Sequence, residues 1–198
     1  MTDWLLAGLR RTRWRGSSRR RSPADRLSSG TFEESAGSLG AVSPFDNAHY
    51  REVFGHYVTG IVVITGVSSD GPRGFTCQTF GSLSVDSALV FFAASTASVS
   101  WQRIREVGVL GVNILKDDQE PLARVFAVTG TDKFANVSWF RAPNGSPFLK
   151  GSLAYLEGTI REVTNHGDHD IAVAELDFAS TEPGNPLVYY RGGYRVLA

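Results

Sequence analysis

Hydroxyl side chains and small residues alternate between two apolar runs in residues 74–84. Such hydroxyls rotate and can donate or accept, and a glycine among them lets backbone N–H groups approach a ligand. This combination suits an anionic cofactor in a segment without a Lys or Arg cluster. A strand rich in Thr and Ser is also typical of a sheet edge with one face in water, so both interpretations stay open. The residues concerned are Thr76, Thr79, Gly81, Ser82 and Ser84.

Two serines, Ser98 and Ser100, lie where a short helical pattern begins. The N–H groups at the start of a helix bind phosphate well, so these serines are candidate ligands for a phosphate group. Ser98 is equally an ordinary N-cap. The local pattern does not separate the two roles.

Three short helices are predicted among the elements that must position these residues. Apolar side chains at helical spacing predict a helix over 46–58, with Asp46 or Asn47 as its N-cap. Ser98 begins a second helix that reaches about residue 107. The acidic run 117–120 predicts the start of a third, which ends near residue 127.

The rest of the chain after residue 60 reads mostly as strands joined by turns. The apolar run 88–94 predicts a strand that is buried on both faces. Many strands with few and short helices favour a mainly β fold, a closed or nearly closed antiparallel barrel. The predicted strands are 61–67, 73–78, 88–94, 109–115, 153–163, 170–178, 187–190 and 194–197.

Charge divides the chain unequally. Its 198 residues favour one domain, and the formal net charge of zero gives no general sign of nucleic-acid binding. Residues 1–44 nevertheless hold eight arginines against four acidic residues. With little apolar periodicity, this segment is predicted to be a disordered tail. A transit peptide and a nucleic-acid-binding arm are weakly supported interpretations of this segment. A translated upstream leader that plays no role in the fold is at least as well supported as either.

Other classes of protein find little support. No segment approaches the length of a membrane span, and the opening apolar run is too short for a secretory signal. The single cysteine, Cys77, has no partner for an internal disulfide or a metal site. We therefore expect a cytoplasmic protein that binds no membrane, nucleic acid or metal.

Seven short segments, taken in order, resemble the flavin reductase family. These proteins are the small reductase components of two-component flavin-dependent monooxygenases. The resemblance implies an FMN-binding split barrel over residues 45–198, that is, a Greek-key-like antiparallel six-stranded barrel with a few short helices. It also implies a homodimer. The segments are 54–65, 74–84, 98–101, 112–115, 132–134, 167–169 and 186–192.

The resemblance also implies an activity. A reductase of this kind passes hydride from NADH or NADPH to FMN or FAD and supplies the reduced flavin to a partner monooxygenase, here one acting on aromatic or phenolic substrates. The chemistry needs orientation more than acid–base groups, which agrees with the lack of a nucleophile and base in sequence. Two alternatives stay open: a non-catalytic flavin-binding electron carrier or sensor, and a relict barrel whose Arg-rich segment binds nucleic acid.

By resemblance, the hydroxyl-rich segment and the helix start hold the flavin. The family often has Ser-Ser-Phe where this chain has Gln78-Thr79-Phe80, so Thr79 keeps a hydroxyl and Gln78 brings an amide to the ring or ribityl chain. Cys77 lies in the same segment, and its thiol reads as a packing group. The expected flavin ligands here are Thr76, Cys77, Gln78, Thr79, Ser82, Ser84, Ser98 and Ser100.

Further site residues follow from the other segments. Asn113, on an apolar strand, either contacts the flavin or ties the barrel together, because a buried amide needs partners. Lys133 is expected near the flavin phosphate, and Phe134 either walls the flavin or belongs to the core. His169, oriented by Asp168, is the expected catalytic residue on the nicotinamide side. Tyr190 is expected to close the pocket together with Arg191.

Overall fold

The computed structural model describes residues 46–130 and 132–197. The Arg-rich segment, predicted to be a disordered tail over 1–44, lies outside these residues. None of the helices in the described part of the chain is long and apolar enough to cross a membrane.

Three helices occur in the described residues: α1 (Asn47–Gly55), α2 (Val99–Val107) and α3 (Glu120–Ala127). Asp46 caps α1 by accepting from the His49 N–H, and Ser98 caps α2 by accepting from the Trp101 N–H. The third helix begins within the predicted run 117–120, with Gln119 as its N-cap and Glu120 as its first residue. Gln119 makes no side-chain cap hydrogen bond, so the run marks the start of this helix without capping it through a side chain.

Twelve strands complete the described fold. Most of them were predicted, although the two-residue β1 and the short β4, β7 and β8 were not. In chain order they are β1 (Thr59–Gly60), β2 (Val62–Ser68), β3 (Gly71–Cys77), β4 (Gly81–Ser84), β5 (Leu89–Ser95), β6 (Val109–Ile114), β7 (Trp139–Arg141), β8 (Pro147–Leu149), β9 (Ala154–His166), β10 (His169–Thr181), β11 (Val188–Tyr190) and β12 (Gly193–Arg195).

The main sheet is antiparallel and has seven strands in the order β3-β2-β6-β9-β10-β5-β4, one more than the six expected. The extra strand is the short β4, which pairs only with β5. Beyond the end of β3, the Thr79 hydroxyl accepts from the Ala93 N–H at 2.9 Å and donates to the Ala93 carbonyl at 3.0 Å. One side chain therefore links the β3 end of the sheet to β5.

Two hydrophobic clusters lie on opposite faces of β2. Val62 and Ile64 belong to the larger cluster, which includes Trp101 and Ile104 of α2. Val63 faces the other way and packs with residues of α3 and the carboxyl-terminal part of the chain. The central strand β2 is thus buried on both faces, and helices α2 and α3 are held on either side of it.

Strand β5 differs from the prediction of burial on both faces. Val90, Phe92 and Ala94 point into the larger cluster, whereas Phe91 points outward and is 37% exposed. The prediction was wrong because an apolar run does not by itself show what covers the second face. No helix of the described residues packs on the outer face of β5.

Candidate functional site

Seven of the predicted site residues line one open cavity of about 410 Å³, which we call the cleft. Its walls are the end of β3, the outer side of β5, the start of α2 and the end of α3. A volume in this range is typical of small-molecule sites. The predicted residues that meet there are Thr76, Cys77, Gln78, Thr79, Ser98, Lys133 and His169.

A smaller cavity of about 180 Å³, the anion corner, adjoins the cleft and shares Ser98 and Lys133 with it. Ser100 and Arg73 also line it. The first N–H groups of α2 have no partner within the helix, apart from the one that Ser98 caps. Two cationic side chains beside a helix N-terminus form a suitable environment for a phosphate group.

Lys133 is held at this corner by two carbonyl groups. Its Nζ donates to the carbonyl oxygens of Gly74 at 3.0 Å and Phe126 at 2.9 Å, so one of its three N–H bonds remains for a ligand. Partial burial lowers the pKa of Lys133, because desolvation disfavours the charged amine. An anion bound beside it would raise this pKa again, because a nearby negative charge favours the charged amine.

Arg73 is a candidate phosphate ligand that the sequence did not indicate. Its Nη2 pairs with Asp70 at 2.6 Å, while its Nε is buried without a hydrogen-bond partner. A buried donor without an acceptor is unfavourable unless a ligand or water completes it. This role was missed in the sequence because Arg73 lies in an ordinary hairpin strand.

The two threonines of the hydroxyl-rich segment use their hydroxyl hydrogens inside the protein. Thr76 donates to the Ala123 carbonyl of α3 at 2.6 Å, and Thr79 donates to Ala93. Both hydroxyls can still accept from a ligand, but their donor capacity is taken. Gln78 is exposed and makes no side-chain hydrogen bond within residues 46–130 and 132–197, so its amide is available for both donating and accepting.

Cys77 lies at the back of the cleft with a buried thiol. Burial raises the pKa of this thiol, so the unreactive protonated form is favoured. The interpretation of Cys77 as a packing residue agrees with this environment.

His169 lies at the edge of the cleft on a tight turn between β9 and β10. Its Nδ1 lies 2.9 Å from Oδ1 of Asp168, and this bond lowers the pKa of the Asp168 carboxyl. The carbonyl of Asp168 accepts from both the N–H and the hydroxyl of Thr96. With Nδ1 engaged by the carboxylate, Nε2 is the ring nitrogen available to a ligand.

A buried carboxylate next to this turn was missed by the sequence analysis. Asp170 is 3% exposed and accepts from Trp101 Nε1 at 2.9 Å, Arg105 Nη1 at 2.9 Å and Asn165 Nδ2 at 3.0 Å. The bonds from Asn165 and Trp101, with the charge of Arg105, hold its pKa below the ordinary value. Asp170 thereby joins the His169 turn to α2, whose first residues line the cleft.

Asn113 does not contact the cleft, and its expected role at the flavin was wrong. It is fully buried, its Nδ2 donates to Val63 O at 3.1 Å, and its Oδ1 accepts from the Leu149 N–H at 2.7 Å. Its amide therefore has no surface to offer a ligand. The alternative role holds, since Asn113 joins β2, β6 and β8 within the fold.

Ser100 lines only the anion corner and Asp168 only supports His169, and four other expected ligands also lie outside the cleft. Ser82 and Ser84 are on β4, and Ser84 accepts from the Ser87 N–H at 3.4 Å. Phe134 is largely buried against Phe126 and forms only part of the wall of the anion corner. Tyr190 lies on β11 beneath the guanidinium of Arg191, 5.4 Å from it.

Gly81 also has a different role from the one expected. A Cβ at this position would lie 2.7 Å from the Phe91 ring, so the absence of a side chain serves ring packing on β5. The hydroxyl-rich segment is thus divided: residues 76–79 face the cleft, while residues 81–84 form a sheet edge.

The sequence matches the flavin reductase like domain over residues 54–198. The reductase subunit HsaB of a flavin-dependent monooxygenase from Mycobacterium tuberculosis is 40% identical over 152 residues, which cover 75% of this chain and 81% of that protein. The reductase component of 4-nitrophenol 4-monooxygenase/4-nitrocatechol 2-monooxygenase from Rhodococcus opacus is 35% identical, covering 77% of this chain and 82% of that protein.

Solved structures share the fold as well. The NADH:FAD oxidoreductase SgcE6 of Streptomyces globisporus, in complex with NAD and FAD fragments, superimposes with a TM-score of 0.75 at 33% identity. The superposition covers 80% of this chain and 97% of that one.

Proposed function

The chain belongs to the flavin reductase family, and on that premise we propose that it transfers hydride from NADH or NADPH to FMN or FAD and supplies the reduced flavin to a partner monooxygenase. The observation that carries the proposal is the continuity of the cleft with the anion corner, and the position of His169 at the cleft's edge. One surface thus offers a phosphate environment, room for a ring and an imidazole beside it.

Different residues of the cleft and the anion corner bind the flavin and the nicotinamide. Lys133, Arg73 and the first turn of α2 hold the flavin phosphate, and the Gln78 amide meets the polar edge of the ring. The bound flavin supplies the hydride acceptor. His169, with its ring fixed by Asp168, orients the nicotinamide against it. Holding donor and acceptor in contact accounts for most of the acceleration that such a reaction requires.

An open cleft suits a flavin that binds reversibly. Buried residues such as Cys77 and Phe126 form its floor, exposed residues such as Gln78 and Thr79 form its rim, and the described residues show no lid over it. This favours a reductase that releases its product to a separate oxygenase. The names of the relatives, which include reductase components of a nitrophenol monooxygenase, support an oxygenase that acts on aromatic or phenolic substrates.

The cofactor pair is supported by one relative in particular. The NADH:FAD oxidoreductase of Streptomyces globisporus binds NAD and FAD fragments on the same fold. We therefore expect NADH and FAD to be among the best substrates here. The buried free thiol of Cys77 agrees with a cytoplasmic protein.

We also propose a homodimer that forms through the outer face of β5 and β10. Phe91 and Ile171 are each 37% exposed there, and Val173 lies opposite Phe91 in the register. This face ends at Ser95 and His169, so a second copy on it would lie next to the cleft. Sedimentation velocity at low micromolar concentration should show a dimer, and a folded active monomer would contradict this proposal.

The activity is tested by mixing purified protein with each pairing of FMN or FAD and NADH or NADPH. Loss of absorbance at the nicotinamide band should follow protein concentration with at least one pairing. Tightly bound flavin that copurifies without any nicotinamide oxidation would instead indicate an electron carrier or sensor.

A further inference from the structure

A second and larger cavity of about 760 Å³ lies on the other side of Gln78 and Thr79 from the cleft. We call it the α1 recess, because α1 forms one wall. The turn between β11 and β12 forms another wall. Gln78 and Thr79 line both cavities, so a ligand lying in the cleft can extend into the recess without crossing the protein interior.

Aromatic rings dominate the α1 wall. The rings of Tyr50 and Phe54 are stacked with centroids 4.4 Å apart, and Tyr57 is 73% exposed. The faces of such rings bind planar heterocycles by stacking. Residues of α1 are not buried in the fold, so these rings are not needed for the core.

Two guanidinium groups accompany the rings. Arg51 and Arg191 line the recess, and none of the described residues that line it is acidic. Arg191 has φ of +48°, a conformation that a non-glycine residue rarely adopts, and its N–H donates to the Gly55 carbonyl at 2.9 Å. This positive φ fits the two-residue turn Arg191-Gly192 between β11 and β12, which holds the Arg191 guanidinium at the recess, and guanidinium groups suit phosphates.

An unpaired polar atom lies in the same wall. Thr59 lines the recess, and its Oγ1 is buried without a hydrogen-bond partner. A buried hydroxyl without a hydrogen-bond partner destabilises the fold unless a ligand or a water molecule forms a hydrogen bond with it.

We propose that the α1 recess binds the adenosine half of a dinucleotide whose other half lies in the cleft. The ring faces would take adenine, and Arg51 and Arg191 would take the phosphates. The inference rests on the proposed function. Since the anion corner shares Ser98 and Lys133 with the cleft but neither Gln78 nor Thr79, a flavin phosphate held there points away from the recess. The adenosine is therefore assigned to the nicotinamide dinucleotide.

The test compares whole and half substrates on the full-length protein. Tyr57→Leu keeps an apolar side chain and removes the ring, and Arg51→Gln removes the charge from an exposed side chain that lines the recess. Phe140→Leu is the matched control, because Phe140 is 43% exposed and lies outside the recess. The readouts are the KM for NADH, for reduced nicotinamide mononucleotide, for FMN and for FAD.

Tyr57→Leu and Arg51→Gln should each raise the KM for NADH roughly tenfold, the lower part of the range expected for lost stacking or a phosphate contact. The KM for reduced nicotinamide mononucleotide and for FMN should not change, and Phe140→Leu should behave as wild type. In the absence of flavin, ADP should quench the fluorescence of the wild-type protein and bind Tyr57→Leu more weakly.

Three outcomes would overturn the inference. An unchanged KM for NADH in both variants would show that the recess binds no adenosine. A rise in the KM for FAD alone would assign the adenosine to the flavin and contradict the assignment made here. Equal losses with NADH and with the mononucleotide, accompanied by a monomer in sedimentation, would show that a second copy of the chain covers α1. If the wild type oxidises no nicotinamide with any flavin, the proposed function itself fails.

Discussion

Lys133 and Gln78 keep hydrogen-bonding capacity that the fold does not use, whereas Thr76 and Thr79 have their donors taken. This difference separates ligand groups from framework groups within one cleft. Sequence alone could not make the distinction, because all four are polar residues in or near an expected site. Which hydroxyl meets a backbone carbonyl depends on the neighbouring strand and helix, not on the local pattern.

Replacing Lys133 by Met removes the cation and keeps a flexible chain of similar length. Flavin carrying a phosphate should then bind roughly tenfold more weakly, because a charge-assisted hydrogen bond is lost. Riboflavin, which lacks the phosphate, should bind as well as before. Fluorescence titration with FMN and riboflavin measures both, and Lys150→Met, at an exposed lysine outside the cleft, is the control. Equal losses for the two flavins would place Lys133 away from the phosphate.

Replacing His169 by Ala should impair NADH use more than flavin binding. The imidazole orients the nicotinamide, so both the KM for NADH and kcat should deteriorate, since a small displacement of the hydride donor is costly. His166→Ala is the control, because it removes an exposed imidazole from the same hairpin outside the cleft. A loss confined to flavin binding would show that His169 contacts the flavin and not the nicotinamide.

At the scale of elements, the sequence predicted the helices, most long strands and the mainly β class, because these depend on local periodicity. It missed β7 and β8 and the outward face of β5, which depend on contacts distant in sequence. The site was predicted where motif and element coincide, as at Ser98 and His169. Asp170 was missed because a lone aspartate gives no sign of the indole and guanidinium that surround it.

Thr79→Val should destabilise the barrel. The hydroxyl both donates to and accepts from Ala93, so its removal leaves the Ala93 N–H without this acceptor and the Ala93 carbonyl with only the weak donor Cys77 Sγ at 3.6 Å. The expected loss in the free energy of unfolding is about 1–3 kcal/mol, measured by urea denaturation. Thr79→Ser keeps the hydroxyl and should recover most of the loss. A Val variant as stable as wild type would show that this link contributes nothing.

Asp170→Asn should loosen the connection between the His169 turn and α2. The folded state holds the pKa of Asp170 below the ordinary value of 3.8, so its charged form stabilises the fold at neutral pH. This contribution is complete above the ordinary pKa and is lost as the pH falls through the lowered folded value. The variant should therefore be less stable at pH 7 by about 2 kcal/mol, the worth of one or two hydrogen bonds to a charged group.

Denaturation of wild type and Asp170→Asn at neutral and acid pH checks this, with the exposed Asp177→Asn as control. The gap between wild type and variant should narrow in acid. A gap that stays constant with pH would show that the charge of Asp170 does not stabilise the fold.

In the molecule as a whole, the cleft lies between the anion corner and the α1 recess. The cleft shares Ser98 and Lys133 with the anion corner, and it shares Gln78 and Thr79 with the recess. All of these lie within residues 46–130 and 132–197. We therefore expect the proposed reaction to require nothing from residues 1–44.

Deleting residues 1–43 should accordingly leave the rate of flavin reduction unchanged. The segment has little of the apolar patterning by which a chain docks on a barrel. Steady-state assays of the full-length and truncated proteins, at matched concentrations, measure the effect. A large loss of activity on truncation would make the segment a functional arm.

The most direct test of the central claim is an anaerobic single turnover in which the protein, mixed with FAD or FMN, is combined with NADH in a stopped-flow instrument. The visible absorbance of the flavin should bleach at a rate that saturates with NADH concentration, and His169→Ala should slow this bleaching at saturating NADH. No bleaching above the rate without protein, for every pairing of flavin and nicotinamide, would contradict the assignment of the cleft as a site of hydride transfer.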